Sequence, residues 1–365
     1  MLKLNENIAK IHPYIPGKPI EEVQRELGLK KVVKLASNEN SWGLPENVIK
    51  ILQQKIKDLY LYPDGSVFRL RQVLADKFSL KPEQFIFGNG SDELLQLIAL
   101  TYLNVDKEVI ISEGTFSEYK FSTLLVNAPY KVVPLKNYTY DLDGFLQKIT
   151  AKTSVIFICN PNNPTGTYFT AGEFDKFIRK VPEDVLVVLD EAYYEYASGT
   201  DYPESCAYLK NYKNLIILRT FSKIWSCAGL RLGFGIADEV IINSLNKARQ
   251  PFNVNALVQD AALTMLQEKE WEDDIRKKIE EQKKYLYTEL KKSGLEFLPS
   301  RSNFIFIIFK QEGQQIFEEL LKKGVIVRPM KGFGFPNAIR VTVGLPEENQ
   351  IFIKSLNEVL KCLSI

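Results

Sequence analysis

Three stretches of the chain, residues 154–159, 185–189 and 215–218, are apolar without alternation and rich in Val and Ile. A strand with one wet face alternates polar and apolar residues; a strand lacking polar positions is covered on both sides. Helix-length segments separate these runs, which is the pattern of a mostly parallel sheet between two layers of helices. Further strands are predicted at 85–87, 109–112, 131–135 and 232–237. Helices are predicted at 46–59, 67–78, 119–126, 142–148 and 171–180, and from Ser91, read as an N-cap, through Leu103. In the helix at 46–59, Ile49, Leu52, Ile56 and Leu59 recur at three and four residues and mark its apolar face.

Near residue 250 the pattern changes. Residues 253–293 are almost free of helix breakers and read as long helices. In the second, Trp271, Ile275, Ile279, Leu286 and Leu290 form the buried stripe, and mixed Glu and Lys form a solvated face. Strand 303–309, helix 314–323, strands 325–328 and 338–343 and helix 347–360 then make a small α+β unit. We expect an α/β chain with a large domain over 30–250 and a small domain over 251–365, to which 1–29 returns. A length of 365 residues suits two domains at roughly 100–200 residues each.

Composition narrows the function. Lys and Arg number 47 against 45 Asp and Glu, a net charge of +2, which argues against a protein built to grip nucleic acid. No apolar run reaches the roughly 18–20 residues of a membrane span, and the start has no continuous apolar core of a secretory signal. Cys159, Cys206, Cys227 and Cys362 lie far apart, without CxxC spacing. They predict reduced thiols in a cytoplasmic protein and no metal site. His12 is the single histidine, so if the chain is an enzyme its chemistry comes from Lys, Tyr, Asp or a cofactor.

Four loops follow predicted strands, where open α/β sheets bind ligands. Gly88-Asn89-Gly90-Ser91-Asp92-Glu93 suits either a capped helix or an anion at a helix start. Asn160-Pro161-Asn162-Asn163-Pro164-Thr165-Gly166 is a rigid turn with more asparagines than a turn needs. Asp190 ends an apolar strand, where a carboxylate can cap the next segment or fix a cation; Tyr193 follows it. Arg219-Thr220-Phe221-Ser222-Lys223 and Gly229-Leu230-Arg231 place a lysine beside donors suited to an anion.

Together these loops resemble those of the fold-type-I pyridoxal-phosphate (PLP) aminotransferases, over about Tyr14 to Gly344. Asp190 stands 27 residues after Asn163, and Lys223 stands 33 after Asp190. Within that superfamily the chain is most similar to the histidinol-phosphate aminotransferase family. The residues that carry this are His12–Lys18, Leu35-Ala36-Ser37-Asn38-Glu39-Asn40, Tyr62-Pro63-Asp64-Gly65 and Ile339-Arg340-Val341-Thr342-Val343-Gly344, together with the Asn160–Gly166 run, Asp190-Glu191-Ala192-Tyr193 and Arg219-Thr220-Phe221-Ser222-Lys223. Three departures stand out: Ser41-Trp42-Gly43 where Pro-x-Gly is usual, Gly114 for a Pro, and Ser226-Cys227 for Gly-Leu.

The resemblance implies a large domain with a mostly parallel seven-stranded sheet and a smaller α+β domain. It implies PLP as cofactor, Lys223 as Schiff-base lysine and proton carrier, and Asp190 as partner of the ring nitrogen. Asn163 and Tyr193 would bond the ring's O3′, and Phe116 would stack on the ring, although an ordinary core Phe fits there too. Gly90, Ser91, Asp92, Ser222 and Arg231 would hold the phosphate. Tyr62 would reach the phosphate of a neighbouring subunit, which implies a homodimer with shared active sites. The substrates would be L-histidinol phosphate and 2-oxoglutarate, with imidazole acetol phosphate and L-glutamate as products. Arg340 would be the anion anchor, with Tyr14, Asn38, Asn163 and Arg328 as further substrate ligands; a salt bridge serves Arg328 equally well. Rival readings are an aromatic aminotransferase, a threonine-phosphate decarboxylase and a non-enzymatic PLP-fold binding module.

Overall fold

The three apolar runs stand side by side at the centre of a seven-stranded sheet in the computed structural model, which describes residues 3–9, 11, 17–197, 199 and 201–363. The strand order is Phe85–Gly88, Gly233–Ala237, Leu215–Thr220, Leu186–Asp190, Thr153–Cys159, Glu108–Ser112 and Tyr130–Val133. All run in one direction except Gly233–Ala237, which is antiparallel to both neighbours. Every residue of Leu186–Asp190 and Leu215–Thr220 is buried, as strands covered on both faces must be. Helices begin where side chains satisfy their first N–H groups. Asp141 caps Leu142–Lys148, and Thr170 with Glu173 forms a capping box for Ala171–Ile178.

Several expectations change. Ser91 is the first residue of helix Ser91–Tyr102, not its cap; Gly90 holds the cap position with a φ of +79°. The segment 325–328 splits in two. Val325–Ile326 pairs in parallel with Val33–Lys34, while Arg328–Pro329 joins a different sheet. The helix at 46–59 ends at Lys55 and continues as a 3₁₀ turn to Asp58. It buries Val48, whereas Ile49, Ile56 and Leu59 are exposed. Among the described residues no helix is long and apolar enough to cross a membrane.

The second sheet is antiparallel, in the order Arg328–Pro329, Ala338–Thr342, Phe304–Ile308 and Glu296–Leu298. The long helix Trp271–Lys292 packs against it and against Pro346–Cys362. Acidic Glu272, Asp273 and Asp274 open that helix and Lys291 and Lys292 close it, matching its macrodipole. The chain's early segment lies along this sheet. Leu35 N–H donates to Ile326 O at 2.7 Å, and Thr342 N–H donates to Leu35 O at 2.9 Å. That track carries Asn38 from the second sheet to the strand ends of the first.

Candidate active site

The loops after the parallel strands open onto one cleft. Cys159 pairs with Asp190 and Asp190 with Leu218, so these strands end at nearly one level. Nine residues singled out in the sequence line the cleft: Ser91, Asp92, Phe116, Asn163, Asp190, Tyr193, Ser222, Lys223 and Arg231. Cys159, Ala192 and Thr220, which sequence reasoning did not single out, line it too.

Asp190 is buried at the end of its strand. One carboxylate oxygen accepts the Tyr119 hydroxyl at 2.6 Å and the other accepts the Ala192 N–H at 3.1 Å. Burial pushes its pKa up to about 6, and the Tyr119 bond opposes that rise. No described cation pairs with it. Lys223 moves the other way, down to about 8, first through burial and then through the nearby charge of Arg340. An acid and an amine shifted toward each other in one cleft are the mark of a proton-handling site.

Beside them is an anion cradle. The start of helix Ser91–Tyr102, Ser222 and Arg231 supply donors. Arg231 Nη2 lies 3.1 Å from Asp92 Oδ2. A Cβ on Gly90 would stand 2.2 Å from the same Nη2, so only glycine lets the guanidinium lie over the helix start. Arg231 and Ser226 both adopt left-handed backbone, at φ of +63° and +57°. Ser226 is where the resembling family usually has Gly, the residue at ease in that conformation.

Asn38 and Arg340 stand one bond behind the cleft wall. Asn38 Nδ2 donates to Tyr193 Oη at 2.8 Å, and Thr342 Oγ1 accepts the Asn38 N–H at 2.9 Å. Arg340 is buried; its Nη1 donates to Asn163 Oδ1, its Nη2 to Ala36 O at 2.8 Å, and its guanidinium lies 5.3 Å from the Phe304 ring. Arg328 pairs with Arg340 directly across the antiparallel ladder, so the two side chains leave the same face of that sheet. Tyr62 does not line the cleft. It is 83% exposed and stacks on Phe252 with ring centroids 4.8 Å apart. Tyr14 lies outside the described residues.

Two groups escaped sequence reasoning. Tyr119 stacks on Phe157 and bonds Asp190, a role set by tertiary pairing over 71 residues. Below the cleft, buried Arg219 grips Glu191 Oε2 through Nε and Nη2 at 3.1 and 2.9 Å, and Ser205 bonds the same oxygen at 2.7 Å. That pair ties the residue after Asp190 to the strand that leads to Lys223.

This fold and this cleft are those of a known class. A family model described as aminotransferase class I and II matches residues 30–356, and the chain belongs to that family. Its relatives narrow the class. It is 45% identical to a histidinol-phosphate aminotransferase of Moorella thermoacetica over 98% of this chain and 93% of that one. It is 46% identical to one of Caldicellulosiruptor saccharolyticus over 97% and 99%. A crystal structure of histidinol-phosphate aminotransferase from Sinorhizobium meliloti in complex with pyridoxal-5′-phosphate aligns with a TM-score of 0.92 at 25% identity, covering 100% of this chain and 99% of that one. The chain is a PLP-dependent aminotransferase. Its residues fit that cofactor: a buried carboxylate lacking a described cation suits a protonated ring nitrogen, and the Gly90 cradle suits a phosphate.

Proposed function

We propose that the chain exchanges an amino group between L-histidinol phosphate and 2-oxoglutarate, giving imidazole acetol phosphate and L-glutamate in histidine biosynthesis. The observation that carries this reading is the opposed pair Asp190 and Lys223 in one cleft, backed by Arg340. PLP, when bound, supplies an electron sink for charge left at the substrate's α carbon. Asp190 would hold the proton on its ring nitrogen, and Gly90, Ser91, Asp92, Ser222 and Arg231 would hold its phosphate. Asn163 and Tyr193 would hold its O3′, and Phe116 would cover its ring. Lys223 would anchor the cofactor covalently, and its amine would carry a proton at the substrate's α carbon. Arg340, with Asn38 and Asn163, receives the substrate anion, because a planar guanidinium accepts carboxylate and phosphate alike. Arg328 and Tyr14 add donors for the phosphate.

The reading includes a homodimer in which Tyr62 reaches the partner's cofactor phosphate. Its support is the apolar surface bared by one chain: Ile56, Leu59, Leu61, Tyr62, Phe68 and Phe252 are all exposed. An active monomer in sedimentation at assay concentration would exclude shared sites. We also take 30–250 as the large domain and 1–29 with 251–365 as the small one. Helix Ala256–Met265, packed on Glu46–Lys55, then forms part of the joint between them.

An amino-donor panel on the holoprotein tests the substrate. Histidinol phosphate should give the highest kcat/KM, with one glutamate consumed or formed per turnover. Preference for phenylalanine or tyrosine would make this an aromatic aminotransferase. Carbon dioxide release from threonine phosphate would make it a decarboxylase.

A further inference from the structure

One lysine of the long helix turns away from solvent. Lys283 is 1% exposed and sits in the stripe of Ile275, Ile279, Leu286 and Leu290. A buried ammonium needs matched acceptors. Lys283 Nζ donates to Ser300 O at 2.8 Å and pairs with Glu280. One turn on, the Tyr287 hydroxyl accepts the Ser300 N–H at 2.8 Å. The carbonyl and the N–H of Ser300 therefore both end on this one helix.

Ser300 opens a short loop that touches both supports of the anion site. Arg301 N–H donates to Gly166 O at 2.8 Å, and Gly166 N–H donates to Asn162 O at 2.8 Å, within the turn that presents Asn163. Gly166 has a φ of +75°, and a Cβ there would stand 2.3 Å from Ser300 Oγ. The loop and the turn are therefore in backbone contact. At the loop's far end, Asn303 Nδ2 donates to Asn38 O at 3.0 Å, and Val343 N–H donates to Asn303 O at 2.8 Å. Asn163 receives Arg340, and Asn38 holds Tyr193.

We propose that Lys283 is a positioning residue for the substrate anion: by pinning Ser300 it fixes the 300–303 loop, and through it the Asn163 turn and Asn38 beside Arg340. This rests on the reading of Arg340 and Asn163 as anion ligands. Lys283 itself does not line the cleft. Its influence runs through two backbone hydrogen bonds into a turn with little freedom of its own.

The test uses the holoenzyme with glutamate as donor, so that it does not depend on histidinol phosphate. Lys283→Met should raise KM for glutamate about tenfold and leave kcat within about twofold, as expected when an anion ligand is displaced but the proton-handling groups are not. Hydrogen exchange of the 160–167 segment should quicken in the same variant. Lys283→Arg, which keeps a donor, should restore both readouts. Tyr287→Phe should move both in the same direction by a smaller factor. Arg340→Ala is the control: if it leaves KM for glutamate unchanged, the reading of the anion site has failed, not the brace. With that control positive, Lys283→Met with unchanged KM and unchanged 160–167 exchange overturns the proposal, whatever happens to its Tm. If that variant does not fold, unchanged readouts in Tyr287→Phe overturn it.

Discussion

On one wall of the cleft, Asp190, Ser222 and Lys223 follow parallel strands whose ends are aligned by the sheet's own backbone hydrogen bonds. Behind the other, Arg340 and Asn38 are held by side-chain bonds to residues 177 and 155 positions away. The first wall is placed by local chain direction, because each group sits at a strand end. The second is assembled from distant segments that must all be docked together. Substitutions on the first wall should therefore change chemistry where it occurs. Substitutions on the second should change how tightly substrate is held, and should spread to neighbours.

The largest effect expected is on the first wall. Lys223→Ala removes the proposed covalent anchor and proton carrier and should lower kcat by at least about a thousandfold. The phosphate cradle is untouched, so the variant should still retain PLP through dialysis. Asp190→Asn should lower kcat by about a hundredfold or more, since a neutral amide cannot hold a protonated ring nitrogen as a carboxylate does. Its stability should move the other way. Burial lifts Asp190 from 3.8 to about 6, so proton binding favours the folded apoprotein. That gain is complete below the unfolded value and is lost as pH rises through about 6. Thermal melts of the apoprotein should find Asp190→Asn near wild type at about pH 4 and more stable than wild type at about pH 8.

The second wall should respond less steeply. Arg340→Ala should lower kcat/KM by about one to two decades in both half-reactions, mostly through KM. Arg340 also helps to hold the Lys223 pKa down. Competitive amine labelling of the apoprotein should therefore titrate Lys223 with a midpoint of about 8, and higher in Arg340→Ala. A midpoint that stays put would separate the two walls electrically. The smallest effect belongs to Tyr119→Phe. The Tyr119 bond lowers the Asp190 pKa, so its loss should raise that pKa and move the acid limb of the pH–rate profile upward. The rate at neutral pH should fall by less than about tenfold.

The same division explains what could be read from the sequence. The strand-end loops could be read because Gly, Pro and Asn clusters directly follow apolar runs, so order along the chain is order in space. Arg340 and Asn38 could be reached only through the family resemblance, since no local pattern says that residue 340 meets residue 163. Periodicity named an apolar face on Glu46–Lys55 but could not say what covers it, and in one chain Ile49 and Ile56 face out. The direction of Gly233–Ala237 was hidden because hydrophobicity carries no sense of strand polarity. One signal was present and unread. The stripe of the long helix jumps seven residues from Ile279 to Leu286, and the position that fills the gap at helical spacing is Lys283.

Lys223, at the wall built from strand ends, is the proposed anchor of the cofactor. Borohydride reduction of the holoprotein followed by peptide mapping tests it directly. A stable pyridoxyl adduct is expected on the peptide that contains Lys223 and on no other lysine. An adduct on a different lysine, or a reduced protein whose cofactor is released on unfolding, would contradict it.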